Sequence, residues 1–381
     1  MKRVWNSIFV VFVALAIVLA ACGQASSTPA PTSPPPASQT TAAAAPSKAA
    51  SPAATEKPAP SPAPKSKESA ADFYKGKTVE LWVGNSPGGG QDTWARMVAR
   101  PLEKQLGARI IVRNEGGSSG QVALTQLRNK NDGLSLITVV PRGPILTQVF
   151  DPDKAKYDMN AYNWLGVMSM IPQLLVVNGK SGIKTVDDFS KTPDVKWALD
   201  TPESGKAMRA RTLALVLNKD IKLISGYNGT SSELLAVMRG EVQGASPPVS
   251  ASMALINSGD IFPLVAMEKK RVPELPNTPT IYEIKTLSPL EKELIDLALG
   301  TEVGRPLATT PGVPQDRVDF LKTSLKNALQ DKELIDRATT YGEPPRWAPG
   351  EDIQTWVKTM LSMPPQTKAK FAELLGMKTA K

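Results

Sequence analysis

The sequence predicts an α/β fold, and three observations carry that prediction. Short apolar runs alternate with helical patterns from residue 78 onward. Two of the helical patterns open on glycine-rich stretches that directly follow an apolar run. No period of fixed length runs along the chain, so a solenoid is not indicated. Strand, helix, strand, helix, strand at this spacing predicts right-handed βαβ units and a parallel sheet.

Two segments precede that alternation. Lys2 and Arg3 give a positive start, and residues 8–21 are an unbroken apolar run, shorter than the roughly 20 residues that span a bilayer comfortably. The run ends in Leu19-Ala20-Ala21-Cys22, and Cys22 is the one cysteine of the chain. This is similar to a bacterial lipobox, which implies residues 1–22 as a lipoprotein signal peptide and Cys22 as the lipidated residue. Residues 23–72 are almost entirely Ala, Pro, Ser and Thr. Such a tract buries too little apolar surface to offset its ordering entropy, so it is expected to be a disordered, extended tether. The folded part is then expected from about Phe73 to Lys381, enough chain for a two-lobed core.

Within that part, residues 78–85 read as a strand, followed by a helix over 91–106 that Pro101 should bend. Residues 108–114 form the next strand, a helix runs from 120 to about 128, and residues 134–140 are strand-like. Further strands are expected at 171–178, 195–200, 221–227, near Val242 and at 261–268. Between them lie helices near Val186, over 206–217, over 230–240 and up to Ser258. The last third is mostly helical, with Pro314 and Pro349 suited to first helical turns.

Composition excludes several functions. There is no histidine, so His-ligated metals, Ser-His-Asp triads and Cys-His pairs are ruled out. With Cys22 lipidated, no thiol remains for catalysis or a disulfide. The formal charge is +9, but part of the excess lies in the signal and tether, and the remainder forms no dense basic block. That leaves no nucleic-acid footprint, while an anionic ligand or membrane surface stays compatible.

The stretch "NSPGGGQDTWAR" (85–96) joins a strand to a helix through Gly88, Gly89 and Gly90, an arrangement that offers free backbone N–H groups and a helix dipole to an anion. Consecutive glycines do not make GxGxxG, and no GKS or GKT follows, so neither nucleotide-phosphate cradle is present. The second loop, "NEGGSSGQ" (114–121), repeats the geometry after the next strand. Two such loops on adjacent strand ends would form one edge of a cleft. Asp92 has two readings at this point: a first-turn carboxylate paired with Arg96 four residues on, or a ligand contact.

Together, "PGGGQDTWAR", "IIVRNEGGSSG" and "NDGLSLI" resemble the substrate-binding proteins of tripartite tricarboxylate transporters. The likeness continues in "YNGTSSELLAVMRGEVQ" (227–243), "PELPNTPTIYE" (273–283) and residues 306–334, covering nearly all of 76–360. The resemblance implies a two-lobed, type II periplasmic-binding-protein-like fold, each lobe a mainly parallel sheet flanked by helices. Lobe 1 would be 73–175 plus 299–381 and lobe 2 176–298, joined by crossing strands at 171–178 and 300–312. It implies a small organic carboxylate as ligand, membrane transporter subunits as partners and no cofactor. The first loop maps onto Gly88, Gly89, Gly90 and Asp92, with Gln91 between them. The second maps onto Asn114, Gly117 and Gly120, with Ser118 and Ser119 between them.

On the facing lobe, "TPESGKAM" (201–208) stands where the family usually has G-x-G-S, and only Ser204 and Gly205 keep the small-residue character. Pro247 stands at about the place of a frequent family aspartate. Arg142, Lys206 and the neighbouring Arg209 are candidates to add positive charge for an anion. Asn228, where a strand enters a helix, reads as a turn and cap that could also touch ligand. For Trp94 and Trp197, core packing stands beside a ligand-facing role. A sensor component on the same fold and a hydrolase using Asp92, Asp200 and Glu203 are the alternative functions.

Overall fold

The computed structural model describes residues 68–377. The signal run, Cys22 and nearly all of the expected tether lie outside the described residues. Regular structure lies ahead of the expected start at Phe73, in the helix Ala70–Tyr74. Ser69 supplies the reason: its hydroxyl caps the helix by accepting from Asp72 N–H at 3.1 Å. Tyr74 then anchors the turn, buried and donating to Gly133 O at 2.9 Å.

Among the described residues, eleven strands form two sheets. In chain order they are β1 (Thr78–Val83), β2 (Arg109–Asn114), β3 (Ser135–Thr138), β4 (Asn163–Val167), β5 (Leu174–Asn178), β6 (Lys196–Ala198), β7 (Lys222–Ile224), β8 (Gly244–Ala245), β9 (Ile261–Ala266), β10 (Pro306–Thr309) and β11 (Ala348–Pro349). The first sheet has the order β11-β4-β10-β3-β1-β2 and the second β7-β6-β8-β5-β9. β1 pairs in parallel with β2 and β3, as alternating strands and helices require. β6 pairs likewise with β7 and β8.

The antiparallel strands flank the two crossings between sheets. The chain leaves the first sheet after β4, crosses through residues 168–173 and enters the second as β5, antiparallel to β8 and β9. It returns through residues 301–305 into β10, which lies antiparallel between β3 and β4. No βαβ turn sets the direction of these strands, so the expectation of parallel pairing does not reach them. β5 starts at Leu174, just inside the stretch assigned to the first lobe, because residues 168–173 do the crossing. The expected strand near Val242 is the two-residue β8, and β4 had no counterpart in the sequence reading.

Alternation along each strand sends side chains to both faces, and helices cover both. Val79, Leu81 and Val83 of β1 pack with Trp94, Val98 and Leu102 of the helix Gly90–Leu106. Trp82 and Ile137 face the opposite core with Leu124, Val357 and Phe371. In the second sheet Leu175 and Trp197 pack on Phe189 and Leu213, while Val176 and Ala245 pack on Val237. The helix Pro289–Gly300 belongs to two cores: Leu294 and Leu297 pack with the first sheet and Ile295 with the second. Among the described residues no helix is long and apolar enough to cross a membrane.

Candidate functional site

The parallel register pairs Val83 with Asn114, so both glycine loops leave the first sheet at its carboxyl end, side by side. Glycine is required where they touch. A Cβ on Gly84 would stand 2.9 Å from Gly120 Cα, and one on Gly120 would stand 2.4 Å from Val139 Cγ2. From Gly117 to Gly120 every residue has positive φ, including Ser118 at 45° and Ser119 at 57°. For serine that conformation is costly and persists only where its surroundings impose it. Ser119 lies against Gly143, where a Cβ would come within 2.6 Å of the Ser119 Cβ, and so ties this loop to the start of the helix Arg142–Phe150.

The side chains of the first loop are engaged inside the protein. Asp92, 4% exposed, accepts from Gly88 N–H at 2.9 Å and Asn114 Nδ2 at 3.0 Å, and pairs with Arg96 Nε at 2.9 Å. Burial alone would raise its pKa, but the bonds from Arg96, Gly88 N–H and Asn114 outweigh that and hold it below the usual carboxylate range. Asn114 also donates to Asn85 O and accepts from Arg96 Nη2. Gln91 is buried, accepting from Thr138 Oγ1 at 2.8 Å and donating to Gly304 O at 3.2 Å. Gly90 makes room for Arg305, whose guanidinium would lie 2.1 Å from a Cβ there. Arg305 pairs with Glu343 at 3.0 Å, which also accepts from Trp94 Nε1.

What this leaves open is backbone. Thr93 N–H is the first to return into the helix, to Gly89 O. The N–H groups of Gly90, Gln91 and Asp92 ahead of it are the unpaired donors of a helix start. In the first loop, Gly89 is the glycine that neither a positive φ nor a close neighbour requires. Its φ of −78° suits any residue, and a Cβ would meet only Ser86 O, at 3.6 Å. Beside it, Asn85 Oδ1 is a buried acceptor with no partner among the described residues.

The residues expected on the facing wall lie on the second sheet's side. Ser204 caps the helix Gly205–Leu217 through Ala207 N–H. Lys206 is turned to the buried Glu233 at 2.6 Å and to Asp200 at 3.5 Å, so its charge is neutralised within the lobe. Burial pushes the Glu233 carboxyl up even with Lys206 beside it. Arg209, 5% exposed, pairs with Glu302 and donates to Ser246 O at 2.9 Å. Glu302 lies over Gly205, where a Cβ would meet its Oε1 at 2.1 Å. Pro247 offers its carbonyl to Leu174 N–H, and Asn228 stays exposed ahead of the helix Thr230–Met238.

Arg142 joins the two walls. From the first sheet's side it donates to Glu203 O at 3.1 Å, Met208 Sδ at 3.3 Å and Thr301 Oγ1 at 3.4 Å. All three partners are neutral, and burial holds its pKa below the ordinary guanidinium value. Of the three basic residues singled out for this wall, Arg142 alone has no carboxylate partner. The hydrolase candidates are differently placed. Asp92 braces the loop, and hydrogen bonds from Ser204 and Thr201 N–H hold Asp200 low against the raising effect of its burial. Trp94 and Trp197 are both fully buried in cores. Missed from the sequence were Asn85, Thr301, Glu302, Arg305 and Glu343, and only Asn85 carried a local signal, as the residue opening the first glycine loop.

A family model described as "Tripartite tricarboxylate transporter family receptor" matches residues 94–296. The chain is 23% identical over 304 residues to Protein BugT of Bordetella pertussis, covering 75% of this chain and 89% of that protein. Among solved structures, a TctC solute binding protein from Polaromonas without ligand superposes with a TM-score of 0.65 at 19% identity, covering 80% of this chain and 99% of that one. MatC from Rhodopseudomonas palustris with bound malate superposes at 0.50 with 20% identity, covering 78% and 99%. The two-sheet architecture is thus that of periplasmic solute-binding proteins of the type II kind.

Proposed function

Because the chain belongs to the tripartite tricarboxylate transporter receptor family, we propose that it captures a small organic carboxylate outside the cytoplasm and delivers it to membrane transporter subunits. The ligand is held between lobe 1 (73–175 plus 299–381) and lobe 2 (176–298). Its carboxylate lies at the N–H groups that open the helix Gly90–Leu106, with Arg142 the cation that closes on it. The observation carrying this reading is Gly89, an ordinary backbone with open space beside it, whose missing side chain lets an anion reach those donors. Malate bound to the related MatC supports the ligand class. The relatives are solute-binding receptors, which supports capture and release over turnover. Binding favours the closed lobe arrangement by its differential affinity for the two states.

The test is a melting screen of the purified protein against mono-, di- and tricarboxylates, aromatic acids, amino acids and neutral sugars. An acid at 100 times its dissociation constant stabilises by roughly 2.7 kcal/mol, a readable shift. A shift with a sugar and none with any acid refutes the reading, and turnover of the bound acid refutes simple capture. The anchor is proposed at Cys22. In a bacterial host, Cys22→Ser should move the protein from the membrane fraction to the soluble one, and continued membrane association would remove the lipid anchor.

A further inference from the structure

A cavity of about 510 Å³ lies between the two sheets on the other side of the crossing segments. Sheet order separates it from the glycine loops. Those loops rise from β1 and β2, whereas the cavity lies at the β4–β11 edge of the first sheet and beyond the end of β9, the edge strand of the second. It shares no lining residue with the loops, with Arg142 or with the helix start at Ser204. The segment 301–305 stands between the two places: Thr301 and Gly304 bond to Arg142 and Gln91, while Glu302 and Val303 line the cavity.

Most of the wall is apolar, formed by Met170, Ile171, Met267, Leu299, Val303 and Trp356. The volume falls within the roughly 300–1,000 Å³ of small-molecule sites. The rim cations are already matched, Arg346 by Glu274, Arg271 by Glu283 and Lys269 by Asp296, while Lys270 stays exposed. Glu268 takes part in none of the ion pairs among the described residues. Burial pushes its carboxyl up to about 7, and the charge of Glu302 adds to that rise, although Gln173 N–H, Arg346 and Arg209 oppose it. An anion entering here would meet both carboxylates. A neutral apolar molecule would leave the Glu268 charge matched only by Gln173 N–H, whereas a cation would pair with it.

We propose that this cavity is a second ligand site, for a small organic cation whose ammonium pairs with Glu268 and whose apolar body packs against Trp356, Met170 and Val303. An aromatic body packed on the indole gains contact beyond the area it buries.

Phenethylammonium serves as the probe and 2-phenylethanol as its neutral counterpart of similar shape, each titrated calorimetrically into the purified protein. Phenethylammonium should bind saturably and the alcohol at least about tenfold more weakly. Glu268→Gln, which keeps the shape and removes the charge, should weaken the cation by about tenfold or more. Val303→Trp, which fills the cavity and leaves the Glu268 side chain in place, should abolish binding. No binding of the cation, equal binding of the alcohol, or binding that survives both Glu268→Gln and Val303→Trp would overturn the proposal.

Discussion

Asp92 opens the first helical turn and faces the same loop as the open N–H groups, yet its carboxylate is already engaged. Gly88 N–H, Asn114 and Arg96 fill it, and a ligand could reach it only by displacing them. In the structure it holds the loop, as a first-turn carboxylate with an (i, i+4) pair does. Asp92→Ala leaves the Gly88 N–H and the Asn114 amide without acceptors and should cost about 2–3 kcal/mol in denaturant unfolding. Because its folded pKa is lowered, the stabilisation from Asp92 is present above the ordinary carboxylate range and is lost as pH falls through the folded pKa. Glu268 has the opposite sign. Its folded pKa, raised from 4.5 to about 7, gives a contribution that is complete below the unfolded value and lost as pH rises through the folded one. Glu268→Gln should remove that dependence and stabilise the protein at pH 8 by on the order of 3 kcal/mol, with little effect at pH 4. Unfolding curves at the two pH values check it.

The two strand–loop–helix units were legible because their signals are local. An apolar run, consecutive glycines and a first-turn acid all fall within "WVGNSPGGGQD", and β1, the loop and the helix follow in that order. What joins these units was not legible. Gln91 reaches Gly304, Arg305 reaches back to Gly90 and on to Glu343, and Arg209 finds Glu302, all across the crossings between sheets. Lys206 looked available for a ligand because its main partner, Glu233, lies a whole strand and loop downstream. β4 escaped notice because "NWLGV" follows no glycine loop and its neighbours β10 and β11 come from the far end of the chain. The glycines of the second loop also show what one element can tolerate. Gly120→Ala would impose a φ of 91° on alanine and press its Cβ on Val139, so it should destabilise by about 1–3 kcal/mol and displace the loop. Melting of that variant without ligand reads the first effect, and acid affinity reads the second.

At the scale of the molecule, two sheets share the helix Pro289–Gly300 and are linked by two crossing segments, with Arg142 reaching from one side to the other. On the proposed function, the ligand lies at the carboxyl ends of β1 and β2 and the two sheets close on it. The central claim is that the bare helix start at Gly89 holds the ligand's carboxylate. Neither backbone strain nor crowding demands glycine at that position, and only its modest N-cap preference does, so binding and stability can be read apart there. The decisive measurement is a calorimetric titration of Gly89→Val with the acid that most stabilises the wild-type protein. The account predicts a loss of no more than about 1 kcal/mol of ligand-free stability, from the poorer N-cap, and at least a tenfold loss of affinity. Wild-type affinity in Gly89→Val would contradict it.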